Sequence, residues 1–392
     1  MMMRLVTATW ILLMVLFSGR AEAYPWMIEH QYTTCSQCHV DPSGGSAMTA
    51  YGRAQTEALL RSPYGQDMSE PGKVKDFAFG LFKVPDAVIA QADVRSLLIP
   101  QPGNFRYQIM QADLRGGVQT EKFVAYASAG VVSAGGRGAR ILSEQGKDNE
   151  FLIPVLRDYW VGFVPKNGWL IRAGRINLPF GIRTDQHLLF TRTATRTTTN
   201  TDQQLGLSAS VETRHWRAEL MGIAGNPAVS PDSFRERGYS GFFAYAVDKG
   251  AEVGVSSLVA SSKTDIITLV PSTRQVHGVF ARYSPFKSFG LLAEADMMLF
   301  NEGVDTRESR AGVAIDLQAD YEVTRGVHLK GGGEFCDTDF GTDGASRRGW
   351  GAVQWFFAPH VSARFDALVG PLYCTPGAVG RPMALATFQA FL

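Results

Sequence analysis

The chain has 392 residues, with 38 Lys and Arg against 37 Asp and Glu, a balance of +1 that offers no basic footprint for nucleic acid and no acidic tail. Its 41 glycines and 11% aromatic residues suit a turn-rich β protein. No catalytic triad, P-loop or dinucleotide fingerprint is present.

Residues 1–23 read as a signal peptide. Arg4 precedes an apolar run from Leu5 to Phe17, and the stretch closes on Ala21-Glu22-Ala23, an A-x-A cleavage pattern that starts the mature chain at Tyr24. The run is too short to cross a bilayer as a helix, and no later stretch is longer.

Residues 24–75 carry one box, Cys35-Ser36-Gln37-Cys38-His39. In C-x-x-C-H, two thiols add across the vinyl groups of a haem and the adjacent histidine reaches the iron, so one covalent haem c is the cofactor expected. A disulfide between the two cysteines, a thioredoxin-like pair or half a zinc site are the alternatives. The last two lack the βαβ setting or the second ligand pair that they need. Met48 and His30 are the candidates for a sixth iron ligand, ahead of Met27 and Met68, with an open or water-bound position as the remaining choice. Met48 is placed on a short helix over "SAMTAYGRAQTEALLR", after the Pro42-Ser43-Gly44-Gly45 turn. A segment of about fifty residues, with fewer than forty after His39, is small for a core of its own. A plug inside a wide barrel, or at its periplasmic mouth, would borrow the missing walls.

Residues 76–392 alternate apolar and polar in segments of about ten. In "AGVAIDLQADYEV" the set Ala311, Val313, Ile315, Leu317, Ala319, Tyr321 and Val323 is apolar, while Asp316, Gln318, Asp320 and Glu322 point the other way. Sixteen such strands, from 87–99 to 383–392, predict an all-β transmembrane antiparallel barrel, with a segment at 76–84 as a competitor for the first. Tight links such as Ala358-Pro359-His360 alternate with long ones at 178–202, 225–238, 338–347 and 371–382. Short links face the periplasm in outer-membrane barrels, and the closing strand "LATFQAFL" has the form that barrel assembly reads, with Phe391 penultimate. A soluble sandwich is the rival fold, but it would turn its apolar rows inward. "GGG" at 331–333 reads as a kink or a lumen-narrowing stretch. Arg172, Arg175, Arg183, Arg192 and Arg196 lie on one strand and the long loop after it; folded inward, they would face haem propionates or the acidic wall of Glu294, Asp296, Asp316, Asp320 and Glu322. Cys336 and Cys374 both fall at extracellular hairpin ends, where they form a disulfide or stay free.

With a signal peptide, a single C-x-x-C-H close behind it, Tyr51-Gly52-Arg53 and a barrel over the remainder, the layout resembles the fused monohaem cytochrome c and porin family of outer-membrane proteins. That resemblance implies electron transfer across the outer membrane through the haem held by Cys35, Cys38 and His39, from an extracellular donor such as ferrous iron to a periplasmic cytochrome or other redox carrier. The rival is a substrate-selective porin whose haem segment is a structural plug or a docking point for a cytochrome. A third is a sheath around a separate multihaem wire.

Overall fold

The computed structural model describes residues 26–30, 32–60, 82–85, 87–101, 103–133, 152–184, 186, 188–199, 201–303, 308–342, 344–358, 360–375, 377–378 and 380–391. The signal peptide, Met68 and most of the 76–84 segment lie outside them.

The strands are β1 (Val88–Gln101), β2 (Asn104–Gln119), β3 (Phe123–Ser133), β4 (Leu152–Val155), β5 (Tyr159–Phe163), β6 (Trp169–Ile176), β7 (Gln204–Glu212), β8 (Trp216–Gly225) and β9 (Arg237–Asp248). They continue as β10 (Ala251–Ser262), β11 (Ser272–Phe286), β12 (Phe289–Glu302), β13 (Glu308–Thr324), β14 (Val327–Asp337), β15 (Ser346–Ala358), β16 (Val361–Val369) and β17 (Pro382–Phe391). Apart from β4 and β5, each pairs antiparallel with its neighbours in sequence, and β1 pairs with β17, so the sheet closes on itself. β4 and β5 both pair with β3, one beyond the other. They form a single interrupted stave, which makes the barrel sixteen-stranded.

Sidedness follows from the period-two pattern. In β13, Ile315, Leu317, Tyr321 and Val323 face outward and are exposed, whereas Asp316, Gln318, Asp320 and Glu322 are buried inside. The same inversion holds around the ring, where Leu114, Val161, Leu207, Leu220, Val279 and Phe365 are exposed. Rows of outward apolar side chains are stable only against hydrocarbon. Phe123, Phe163, Trp169, Trp216, Tyr245, Tyr283, Tyr321 and Trp355 are also exposed, and all lie near the ends of strands joined by short turns. Their placement makes an aromatic girdle of the kind that marks a membrane interface.

Two chain segments meet the inward faces. The first is residues 26–60, with a 3₁₀ turn (Trp26–Glu29), helix α1 (Ala50–Gln55) and a π turn (Thr56–Leu60). The second is the β6–β7 loop, which carries helix α2 (Phe190–Thr193). β14 passes through Gly331–Gly333 without interruption, and a side chain at Gly332 would collide with the Trp350 indole.

The outward rows give a depth-dependent expectation. Leu317→Arg, in the middle of β13, should cost about 2–4 kcal/mol in urea unfolding from lipid vesicles, and Tyr321→Arg near the girdle about 0–1 kcal/mol. Equal costs would contradict the assignment of the hydrocarbon band.

Candidate functional site

Local chemistry sets the shape of the cysteine box. The amides of Cys38 and His39 both bond to the Cys35 carbonyl, at 3.2 and 2.9 Å, so residues 35–39 make one helical turn that brings the two thiols to one side. Beyond it the chain doubles back. Val40 N–H bonds to the Ala47 carbonyl and Thr49 N–H to the Cys38 carbonyl, both at 2.9 Å. Asp41 closes the tip as an Asx turn, accepting from Ser43 N at 3.0 Å and Ser43 Oγ at 2.9 Å, and Gly44 and Gly45 take the left-handed conformations that follow, at φ +95° and +83°. Thr49 then caps α1 by accepting from Gly52 N at 3.0 Å. Gly52 must be glycine, since a Cβ there would lie 2.3 Å from the Cys38 carbonyl oxygen. This contact is the physical role of the glycine in Tyr51-Gly52-Arg53.

The segment is fastened to strands all round the barrel. Met48 N donates to Gln91 Oε1 of β1 at 2.8 Å, and Ser46 to Asp158 in the break between β4 and β5. Asp41 meets Arg172 of β6 at 3.1 Å and accepts from Asn177 at 3.2 Å. Ser36 donates to Glu212 of β7 at 2.8 Å, and Arg217 of β8 points a guanidinium N–H at Cys35 Sγ, 3.6 Å away. Arg282 of β11 donates to the Thr33 carbonyl at 2.6 Å, and His360 in the β15–β16 turn donates to the Arg53 carbonyl at 3.0 Å. Apolar packing joins Met27, Tyr32, Met48 and Leu60 to Phe356 and Phe391 of the wall.

The β6–β7 loop folds inward, as the sequence had allowed. Arg192 pairs with Glu294 of the acidic wall, Ile182 N donates to the same carboxylate at 3.0 Å, and Phe190 N donates to Glu334 at 2.6 Å. Arg348 reaches the Leu188 carbonyl at 2.7 Å. Arg196 turns elsewhere, to Asp265 at 2.7 Å. Arg183 faces the N-terminal segment, donating to Ser43 Oγ at 3.2 Å.

The donor set fits a c-type haem. Cys35 and Cys38 are not joined in a disulfide, to each other or to another cysteine. The His39 ring is held by the Gly45 backbone, and its Nδ1 is buried with no hydrogen-bond partner. Burial pushes its pKa down to about 4, so the ring is neutral and offers a lone pair. Beside it lies a cavity of about 140 Å³ whose lining includes Arg95, Arg115, Arg157 and Arg183. That volume is below the roughly 300 Å³ at which small-ligand pockets begin, so a porphyrin enters only if lining side chains move.

The candidate sixth ligands fall differently. Met48 precedes α1 rather than riding on it. It forms an antiparallel bridge with His39, the non-hydrogen-bonded kind that sets two side chains next to each other on one face. The thioether therefore sits beside the imidazole and not across from it, and it accepts from Thr56 Oγ1 at 3.7 Å. His30 points away to Glu29 at 3.6 Å and Glu322 at 3.4 Å. Burial, with the Asp320 and Glu322 carboxylates close by, pushes Glu29 up to about 9. Met27 is buried in the apolar cluster. Cys336 and Cys374 are joined, with Cα atoms 5.9 Å apart, tying the end of β14 to the β16–β17 loop.

Asp41 carries a role that the sequence reading passed over. Burial raises its carboxyl, but the Arg172 and Arg183 guanidiniums outweigh that and hold it below the ordinary range. The signal was available, because an Asp before Pro-Ser-Gly-Gly is an Asx-turn former, although its partner lies 131 positions away on β6.

The fold matches solved outer-membrane barrels. OmpT of Vibrio cholerae with its loop L8 deleted aligns over 78% of this chain and 99% of its own at 10% identity, with a TM-score of 0.58. The outer-membrane channel DcaP of Acinetobacter baumannii aligns over 79% and 99% at 11% identity, TM-score 0.54. The anion-selective porin from Comamonas acidovorans aligns over 78% and 99% at 13% identity, TM-score 0.54. No family model matches the chain, and no curated protein does. The likeness establishes a porin-type barrel.

Removing the Asp41 carboxylate leaves Arg172 fully buried with Glu219, at 2.5 Å, as its remaining carboxylate partner. Asp41→Ala should therefore loosen residues 26–60 by somewhat less than the ~3–5 kcal/mol of a broken buried pair. Limited proteolysis in detergent should cut this segment faster than in the parent while the strands stay protected. Unchanged cleavage would remove Asp41 from the latch.

Proposed function

We propose that this chain is an outer-membrane porin-type protein whose lumen is held closed by residues 26–60 and the inward β6–β7 loop, the N-terminal segment bearing one covalent c-type haem and serving as a plug and a docking point for a periplasmic cytochrome. The observation that carries the reading is the fate of the inward-facing polar side chains. In an open channel they would be hydrated. Here Gln91, Arg172, Glu212, Arg217, Arg282 and Glu322 each contact the N-terminal segment instead. Most of its wall contacts lie toward the short-turn ends of the strands, the periplasmic side in outer-membrane barrels, where a soluble carrier would meet it.

Electron transfer between an extracellular donor, such as ferrous iron, and a periplasmic carrier is the second reading. It is favoured by the buried, unpartnered His39 nitrogen next to two cysteines that no disulfide occupies. When bound, the haem supplies a one-electron couple. Cys35 and Cys38 would hold it covalently, His39 would ligate its iron, and the arginines around the adjoining cavity would receive its propionates.

Two measurements on the purified full-length protein test these statements. Its pyridine haemochrome spectrum should show one covalent haem per chain, lost in Cys35→Ala/Cys38→Ala; a colourless parent protein would end both haem-dependent statements. In planar bilayers the parent should conduct little, and Asp41→Ala/Ser46→Ala, which frees two wall contacts, should open it. A large steady conductance in the parent would overturn the plug.

A further inference from the structure

The plug meets the wall at one place where charge is left unmatched. Glu29, at the end of the 3₁₀ turn, is 1% exposed, and both its carboxylate oxygens are buried without a hydrogen-bond partner. It faces His30 and Glu322 of β13, and one ligand atom from each of the three falls within 4.8 Å of the others. Glu322 is itself 8% exposed, with Oε1 unpartnered. Asp320 stands next to them, bonded to His328 Nδ1 at 3.0 Å and paired with Lys330 at 3.3 Å. Lys330 and His328 are thus taken up by Asp320, and His30 is the group left between Glu29 and Glu322. Burying these carboxylates is costly unless a proton or a bound cation offsets them.

We infer that Glu29, His30 and Glu322 form a binding site for one divalent transition cation of the zinc class, which clips the N-terminal segment to the inner wall of β13. The spacing suits it. A tetrahedral ion with arms of about 2.0–2.1 Å holds its ligand atoms about 3.3–3.4 Å apart. His30 Nε2 lies 3.4 Å from Glu322 Oε2 and 3.6 Å from Glu29 Oε1. One imidazole with two carboxylates selects zinc, manganese or iron over calcium or magnesium, and three protein ligands leave a fourth position for water. His30 is thereby assigned to this ion and not to the haem. The site does not depend on whether a haem is attached.

The experiment uses untagged full-length protein in detergent, stripped with a chelator, desalted and titrated with Zn²⁺ alone. The parent should retain one zinc per chain, and its zinc K-edge absorption should show oxygen and nitrogen neighbours at about 2.0–2.1 Å with a single imidazole. Glu29→Gln and Glu322→Gln should each weaken binding more than about 100-fold, since outer-sphere partners alone cost about 10–100-fold. Heat-modifiable migration shows that each variant barrel has formed. No retained zinc in the parent, equal retention in both variants, or sulfur neighbours at the edge, which would put the ion on Cys35 and Cys38, overturns the site. The K-edge spectrum of the parent decides the matter even where a variant fails to fold.

Discussion

Arg172 is the contact on which the interior depends. It projects from β6 into the barrel with no exposed surface, and it is bound between Asp41 of the N-terminal segment at 3.1 Å and Glu219 of β8 at 2.5 Å. A membrane barrel that turns its apolar rows to lipid must turn its polar rows inward, and water usually hydrates them there. Once the lumen is filled, every such charge needs a partner, on the wall as Glu219 serves Arg172 or on the filling as Asp41 does. A guanidinium stripped of water is destabilising by several kcal/mol unless paired, so the segment and the wall are each built for the other.

The same reasoning explains how a segment with so little regular structure keeps a shape. Residues 26–60 contain one helix of six residues and two shorter turns, too little to bury a core. Their apolar side chains pack on Phe356 and Phe391, and their backbone bonds run to Gln91, Arg282 and His360. The β6–β7 loop uses the same device. Gly181 lets it pass so close to Glu294 that a Cβ would overlap the carboxylate.

Much of the barrel was legible because its signal is local. A period of two, with turns between, located all sixteen staves, and in β13 it even separated the lipid face from the lumen face. One stave was read as continuous over 154–164 and is broken at Leu156–Asp158, where Arg157 turns inward to Asp113 at 2.8 Å and Asp158 receives Ser46. Nothing in a run of alternating residues announces that break. The cysteine box was likewise a local signal, since its expected chemistry rests on spacing alone. The surroundings of the box were not. Helix propensity put Met48 on a helix, but pairing with His39 took it into a hairpin two residues earlier. His30 could be listed as a ligand, but its carboxylate neighbour on β13 is 292 residues away, a distance over which sequence pattern carries no information.

Hydrogen exchange in the detergent-solubilised protein tests the filled lumen most directly. The amide of Met48 bonds to Gln91 Oε1 of the wall, and those of Val40 and Thr49 close the hairpin around it. If the segment is fastened as described, these three should exchange as slowly as amides in the middle of β13. Exchange at the rate of an exposed loop, with the strands still protected, would mean that residues 26–60 do not occupy the barrel in solution.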